Sequence, residues 1–330
     1  MKKGNTVLAR AGLVCAAAAL AFTALPGVTT AHAGSADTET ASVSQTASVS
    51  QTSNPSAKWP TPYATYAGNV DYTVVGSTMS VSENRNNCTK KASSSATLDI
   101  PSDANVLKAT LEWSGTGQTI DTSVTANGQT ITANRTSRLA VANGLSLMYF
   151  FVASADVTSL VTGSGQATIS DLAWANTGIY CTSNSAYGAW TLTVVYESST
   201  VEKGQVNLYQ GPTHTKFPTP GTTTVDLSQL PSQSCWASAK MTNVWYDGDA
   251  YKGEYFYANG IYKGNNTLNG SSGPNLDIDT YWGGLNAYQT SFSYAIKNFK
   301  VSTQWGIAVE HAVNSSTVVK IANCGDKTKA

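Results

Sequence analysis

The feature that most constrains this chain is an apolar alternation of period two that recurs between short turn signals. In "WTLTVVYE", Trp190, Leu192, Val194 and Tyr196 fall on one face and Thr191, Thr193, Val195 and Glu197 on the other. "VLKATLEWSG" repeats the pattern, with Leu107, Ala109, Leu111 and Trp113 set against Lys108, Thr110 and Glu112. This spacing is that of a half-buried strand with one face in water. Asn127-Gly128, inside "SVTANGQTITA", is a strong hairpin signal, because both residues accept the positive φ of a tight primed turn. Further strands are expected in "LMYFFVASADVTSLV" and "QATISDLAW", with a single helical turn in "ADVTSLV". No long amphipathic helix is legible. Many short strands separated by Gly, Asn and Ser predict an all-β chain of antiparallel β-sandwiches, jelly-roll or immunoglobulin-like.

The strands begin only near residue 58. Lys2, Lys3 and Arg10 precede the apolar run Ala11 to Leu25, and "AHA" at Ala31 to Ala33 has the small-x-small form that signal peptidase reads. The run is shorter than the roughly 20 residues that cross a bilayer, so residues 1–33 read as a signal peptide and the product as secreted. Residues 34–57 are Ser, Thr, Gln and Ala, with "ASVSQT" occurring twice, and cannot bury enough surface to order themselves. They read as a disordered linker, with Gln45 and Gln51 as accessible cross-linking positions under the rival reading. A change of character near Ser198 to Gly204 divides the remainder into two sandwich domains, 58–200 and 201–330.

With the signal removed, 17 basic residues face 20 acidic ones, a net charge of −3. No basic stripe exists to neutralise phosphates, which excludes a nucleic-acid partner. No later segment is apolar enough to be a transmembrane span. Cys88, Cys181, Cys235 and Cys324 remain; an even number in an exported chain favours two disulfides, of which three connectivities are open. Cys88 with Cys181 and Cys235 with Cys324 keeps each bridge inside one domain.

"VLKATLEWSGTG", "YFFVASADVTSLV" with "GSGQATISDL", "AYGAWTLTVVYE" followed by "VNLYQG", then "VWYDGDAYKGEYFYANG" and "LDIDTYWG" occur in an order that resembles the paired β-sandwich region of large bacterial secreted and cell-surface proteins, usually placed ahead of tandem immunoglobulin-like repeats. The resemblance spans nearly all of 104–313 and implies a non-enzymatic, adhesin-like surface module. The chain shows neither downstream repeats nor a sortase motif, so a freely secreted or non-covalently retained product is expected.

Enzyme signatures are sparse. Of the histidines, His214 lies in a Pro-rich stretch and His311 in an alternating strand, with no nucleophile elbow or zinc spacing beside them. Lys108 and Glu112 are the residues an intramolecular isopeptide bond would use. "YDGDAYKGE" and "LDIDT" bring Asp247, Asp249, Glu254, Asp277 and Asp279 into one acidic group of the kind that supplies oxygen ligands to calcium, although Tyr251 stands where a further ligand belongs. Local turns whose Asp side chains cap backbone amides explain the same letters. Read as a glycosidase pair, two of these carboxylates would have to face each other across a cleft. Tyr246, Tyr251, Tyr255, Tyr257, Tyr262, Tyr281, Trp282 and Tyr288 crowd the second half. Tyr251, Tyr281 and Trp282 are the expected loop positions for a ligand, since aromatic faces stack on sugars and anchor interfaces.

These observations favour a surface-associated binding protein that recognises a glycan or a protein, with no cofactor unless calcium binds. A secreted effector, toxin or hydrolase component, is the alternative from another class. A self-assembling subunit whose leader pairs onto a neighbour's sheet edge is a third.

Overall fold

A computed structural model describes residues 60–81, 88–143, 145–183, 185–217, 221–247, 254–265, 267–298 and 310–324. The expected signal peptide and leader lie outside them. The chain is all-β. The strands of the first half are β1 (Thr61–Gly68), β2 (Val70–Thr78), β3 (Ser93–Leu98), β4 (Asn105–Thr116), β5 (Ser123–Ala126), β6 (Gln129–Thr132), β7 (Arg135–Asn143), β8 (Ser146–Asp156), β9 (Gly165–Ser170) and β10 (Gly188–Glu197). Those of the second are β11 (Gly204–Phe217), β12 (Gly221–Leu227), β13 (Ala237–Tyr246), β14 (Glu254–Ala258), β15 (Ile261–Asn265), β16 (Leu276–Leu285), β17 (Phe292–Asn298) and β18 (Glu310–Ala322). Helical structure among the described residues is a 3-10 turn at Thr158–Leu160, in the "ADVTSLV" stretch, and one turn at Ile179–Thr182. Asn127 and Gly128 have φ of 47° and 84°, the primed turn that joins β5 to β6.

The strands form four antiparallel sheets: sheet I, β3-β9-β5-β6; sheet II, β2-β10-β4-β8-β7; sheet III, β1-β11-β18-β13-β16; and sheet IV, β12-β17-β14-β15. They stack in that order. One core joins sheets I and II through Leu98, Val124, Ile169, Trp113, Phe151 and Trp190. A second joins III and IV through Met241, Trp245, Val319, Phe256, Tyr294 and Ile296. Sheets II and III meet through Tyr72, Val195, Leu208 and Val318 at one place and Phe150, Tyr187, Val244 and Tyr246 at another. The first strand, β1, lies beside β11 at the edge of sheet III, so sheet order and chain order divide differently.

Stacking changes the environment of the inner strands. Trp190, Leu192, Val194 and Tyr196 of β10 do face sheet I together, but the opposite face is also buried, against sheet III. The half-buried strand expected at residues 106–115 is likewise covered on both sides. Glu112 is 3% exposed, accepting from Ser315 Oγ at 2.5 Å, Gln210 Nε2 at 3.0 Å and Tyr246 OH at 3.4 Å. Gln210 also donates to Ser154 Oγ, and Arg135 Nη1 donates to Gln210 Oε1 at 3.0 Å. Ser315 reaches Glu112 because β18 carries an extra residue there: Val244 opposes Ser316 while Trp245 opposes Asn314. Such a bulge re-aims a side chain at modest cost to the ladder. Lys108 is instead paired with Asp156 at 2.6 Å, so Lys108 and Glu112 are separately engaged.

Cys88 is bonded to Cys181 and Cys235 to Cys324, each closing a long loop across sequence separations of 93 and 89 residues. Among the described residues no helix is long and apolar enough to cross a membrane.

Candidate functional site

The last residues of β11, β13, β15 and β17 and the first residues of β12, β14, β16 and β18 lie at one end of sheets III and IV. The register places them together: Tyr246 is opposite both Leu276 and Val313, and Phe217 is opposite Glu310. Residues 218–220, 248–253 and 299–309 of the connections between them lie outside the described residues.

Beneath this end the alternation of sheet III turns polar. β13 presents Met241, Asn243 and Trp245 to sheet IV, and β16 presents Asp277, Asp279 and Tyr281, with Asn243 directly opposite Asp279 and Trp245 opposite Asp277. Tyr281 stacks on Phe256 of sheet IV at 4.0 Å between ring centres. From β18, Thr317 donates to Asn243 Oδ1 at 2.9 Å, and Asn314 Oδ1 accepts from the Tyr294 hydroxyl at 2.6 Å. Asp277 is fully buried; its Oδ1 accepts from the amides of Asn269 and Ser271, at 3.1 and 2.8 Å, and from the Ser271 hydroxyl at 3.1 Å. The loop before β16 is thereby tied down over the strand.

Four buried atoms of this floor have no hydrogen-bond partner: Asp277 Oδ2, Asp279 Oδ2, Asn243 Nδ2 and Trp245 Nε1. Buried polar atoms are nearly always bonded, so four on two paired strands call for an explanation. Two are acceptors and two are donors. Burial first, and the neighbouring Asp277 charge second, push the Asp279 carboxyl up to about 7, against the pull of the Ser271 and Tyr281 hydroxyls. Burial also raises Asp277, opposed by the amides of Ser271, Gly270 and Asn269. Tyr281 is raised by burial and by the Asp279 charge.

Of the acidic group expected to hold calcium, Asp277 and Asp279 come together. Asp247 is buried with φ of 62°, and its charge acts on Tyr187, in the layer between sheets II and III. Asp249 and Tyr251 lie outside the described residues, as does the side chain of Glu254. Among the described residues no group of three or more His, Cys, Asp or Glu gathers for a metal ion.

Tyr281 and Trp282, expected in a loop, are consecutive residues of β16, and alternation sends them to opposite faces. Tyr281 packs inward, while Trp282 stays 68% exposed. His214 stacks on Phe150 at 6.0 Å, and the His311 side chain lies outside the described residues. Asn243 and Trp245 were not legible as site residues. Their only sequence signal is a polar residue at an inward position of "MTNVWY".

No family model matches the chain, and no curated protein matches it. Among solved structures, a peptide-N(4)-(N-acetyl-β-D-glucosaminyl) asparagine amidase aligns at 12% identity over 77% of this chain and 97% of its own, with a TM-score of 0.25. A glycosylasparaginase from Flavobacterium meningosepticum, PNGase F, aligns at 13% identity over 77% and 97%, with a TM-score of 0.23. A β-porphyranase of glycoside hydrolase family 86 from Bacteroides plebeius aligns at 12% identity over 79% of this chain and 36% of its own, TM-score 0.23. At these scores the likenesses carry no argument about fold or activity.

Proposed function

We propose that this is an exported binding protein that recognises a hydroxyl-rich ligand, a glycan of a cell surface, at the loop end of sheets III and IV. The observation that carries this reading is the gathering of carboxylate, amide and indole groups on neighbouring positions of β13 and β16, with the partly exposed Asp279 the member nearest solvent. A sugar hydroxyl donates to a carboxylate and accepts from an amide or indole N–H, so vicinal hydroxyls satisfy both kinds of atom at once. The stacked sheets hold such a site with little reorganisation, which favours affinity. Secretion and the adhesin-like role belong to the same proposal.

The test is a glycan array with the chain from Gly34 onward, followed by calorimetry on the best glycan with Asp279→Asn and Asn243→Leu. Binding weakened by both substitutions, in variants that still unfold cooperatively, supports the reading. A chain that binds no glycan, or variants that bind as well as the parent, would sink it.

A hydrolytic reading draws on one observation in the same place. Asp279, held near 7 beside the more deeply buried Asp277, has the character of a carboxyl that keeps its proton at neutral pH and gives it to a leaving group. Release of reducing ends or free amine from the bound glycan, abolished by Asp279→Asn, would replace binding with turnover as the function.

A further inference from the structure

The opposite face of β16 carries a second feature. Trp282 and Trp236 are 68% and 59% exposed, an unusual state for the largest apolar side chain. Both belong to the face of sheet III that looks toward sheet II, at an edge that sheet II does not cover. Three contacts establish the face: Thr280 bonds Thr242, Thr242 bonds Tyr72 of β2, and Lys240, opposite Trp282, reaches Asp71 of β2 at 2.5 Å.

Trp236 is held there. Its predecessor Cys235 is bonded to Cys324, and its ring lies on the bare backbone of Gly284, where a Cβ would sit 2.2 Å from ring atom Cε2. Gly284 and Trp282 are two residues apart on one face of a strand, so Trp282 stands about 7 Å along the strand from the glycine on which the Trp236 ring lies. The margin is polar: Ser238 opposite Gly284, Thr280, and Lys240, whose Nζ is 6.0 Å from the Trp282 ring centre and is anchored on Asp71.

We propose that Trp236 and Trp282 form a platform for the flat faces of consecutive sugar rings in a β-linked polysaccharide. The C–H face of a pyranose carries partial positive charge and meets the electron-rich face of an indole, while its equatorial hydroxyls are left for a polar rim. Two indoles spaced along a strand suit an extended chain, and Ser238, Thr280 and Lys240 supply that rim. This surface is separate from the Asp277–Asp279 floor, which faces sheet IV.

Affinity electrophoresis tests it, with native gels containing hydroxyethylcellulose, xylan or glycol chitin. The chain from Gly34 is expected to be retarded in at least one gel. Trp282→Ala and Trp236→Ala should each weaken retardation about tenfold or more, and Leu147→Ala, which trims an exposed side chain of β8, should leave it unchanged. Gly284→Ala keeps both tryptophans but lifts the Trp236 ring, and should weaken binding as well. Because both rings are exposed, thermal melts of Trp282→Ala and Trp236→Ala should match the parent's. Free migration in all three gels, or Trp282→Ala migrating like the parent, overturns the proposal. So does a reversible dimer in sedimentation that Trp282→Ala dissolves, which would make the face a self-interface. Loss of retardation in Asp279→Asn alone would assign polysaccharide binding to the floor instead.

Discussion

Asp279→Asn should make this protein more stable at pH 8 and leave it unchanged near pH 3. The Asp279 carboxyl moves from an ordinary 3.8 to about 7 in the folded chain, through burial first and the Asp277 charge second. A carboxyl with a raised folded pKa holds its proton more tightly in the native state. Its contribution to stability is therefore complete below the unfolded value, and is lost as pH rises from about 4 through about 7. Each tenfold change in proton affinity is worth about 1.4 kcal/mol, and the interval spans roughly three of these, about 4 kcal/mol. Asp279 keeps part of its surface in contact with solvent, which reduces the expected difference to about 2–3 kcal/mol. Asparagine has the same shape without the charge, so the variant should escape that loss. For a chain of this size, the difference corresponds to roughly 4–8 °C in melting temperature at pH 8. Thermal unfolding of parent and variant from pH 3 to 8 measures the difference. Coincident curves at pH 8, or a variant less stable at every pH, would refute the reasoning. A stabilised variant that also loses its glycan would mark the charge as retained for function at a cost in stability.

Glu112→Ala should destabilise by about 3–5 kcal/mol in urea unfolding, since it strands the Ser315 hydroxyl and one Gln210 N–H and removes the charge facing Arg135. Glu112→Gln, which keeps shape and some bonds, should cost about 1 kcal/mol, and equal losses in the two variants would refute that account. Gly188→Ala would place a methyl 2.3 Å from the Trp174 ring, so a loss of about 1–3 kcal/mol with a changed near-ultraviolet circular dichroism signal is expected. An unchanged variant would mean the ring moves freely. Replacing Cys88 and Cys181 together by serine should cost about 2–5 kcal/mol. Non-reducing peptide maps should show Cys88 with Cys181 and Cys235 with Cys324, and a Cys88 to Cys235 peptide would contradict the fold.

The candidate site was legible in its chemistry more than in its geometry. "LDIDT" marked Asp277 and Asp279 as a pair, and β16 does set them two residues apart on one face. Their partners Asn243 and Trp245 lie more than thirty residues upstream in sequence, and only strand pairing makes them neighbours. Trp282 was visible as an aromatic before two glycines. Trp236 was not, because its significance depends on Gly284 lying under its ring.

The sequence by itself determined that the chain is all-β, that Asn127-Gly128 turns a hairpin, and that "ADVTSLV" breaks into a helical turn. These are local consequences of side-chain spacing and of which residues accept a positive φ. The tertiary structure alone decided what each polar face meets. Period two separates the faces of a strand, but it does not say whether the polar one meets water or another sheet. Glu112 and Thr191 read as solvent-facing and are buried between sheets II and III; Asp277 read as a turn residue and joins Asn243 in a polar floor. The physical reason is that a side chain's direction is set by its own backbone, whereas its burial is set by whichever distant strands pack over it.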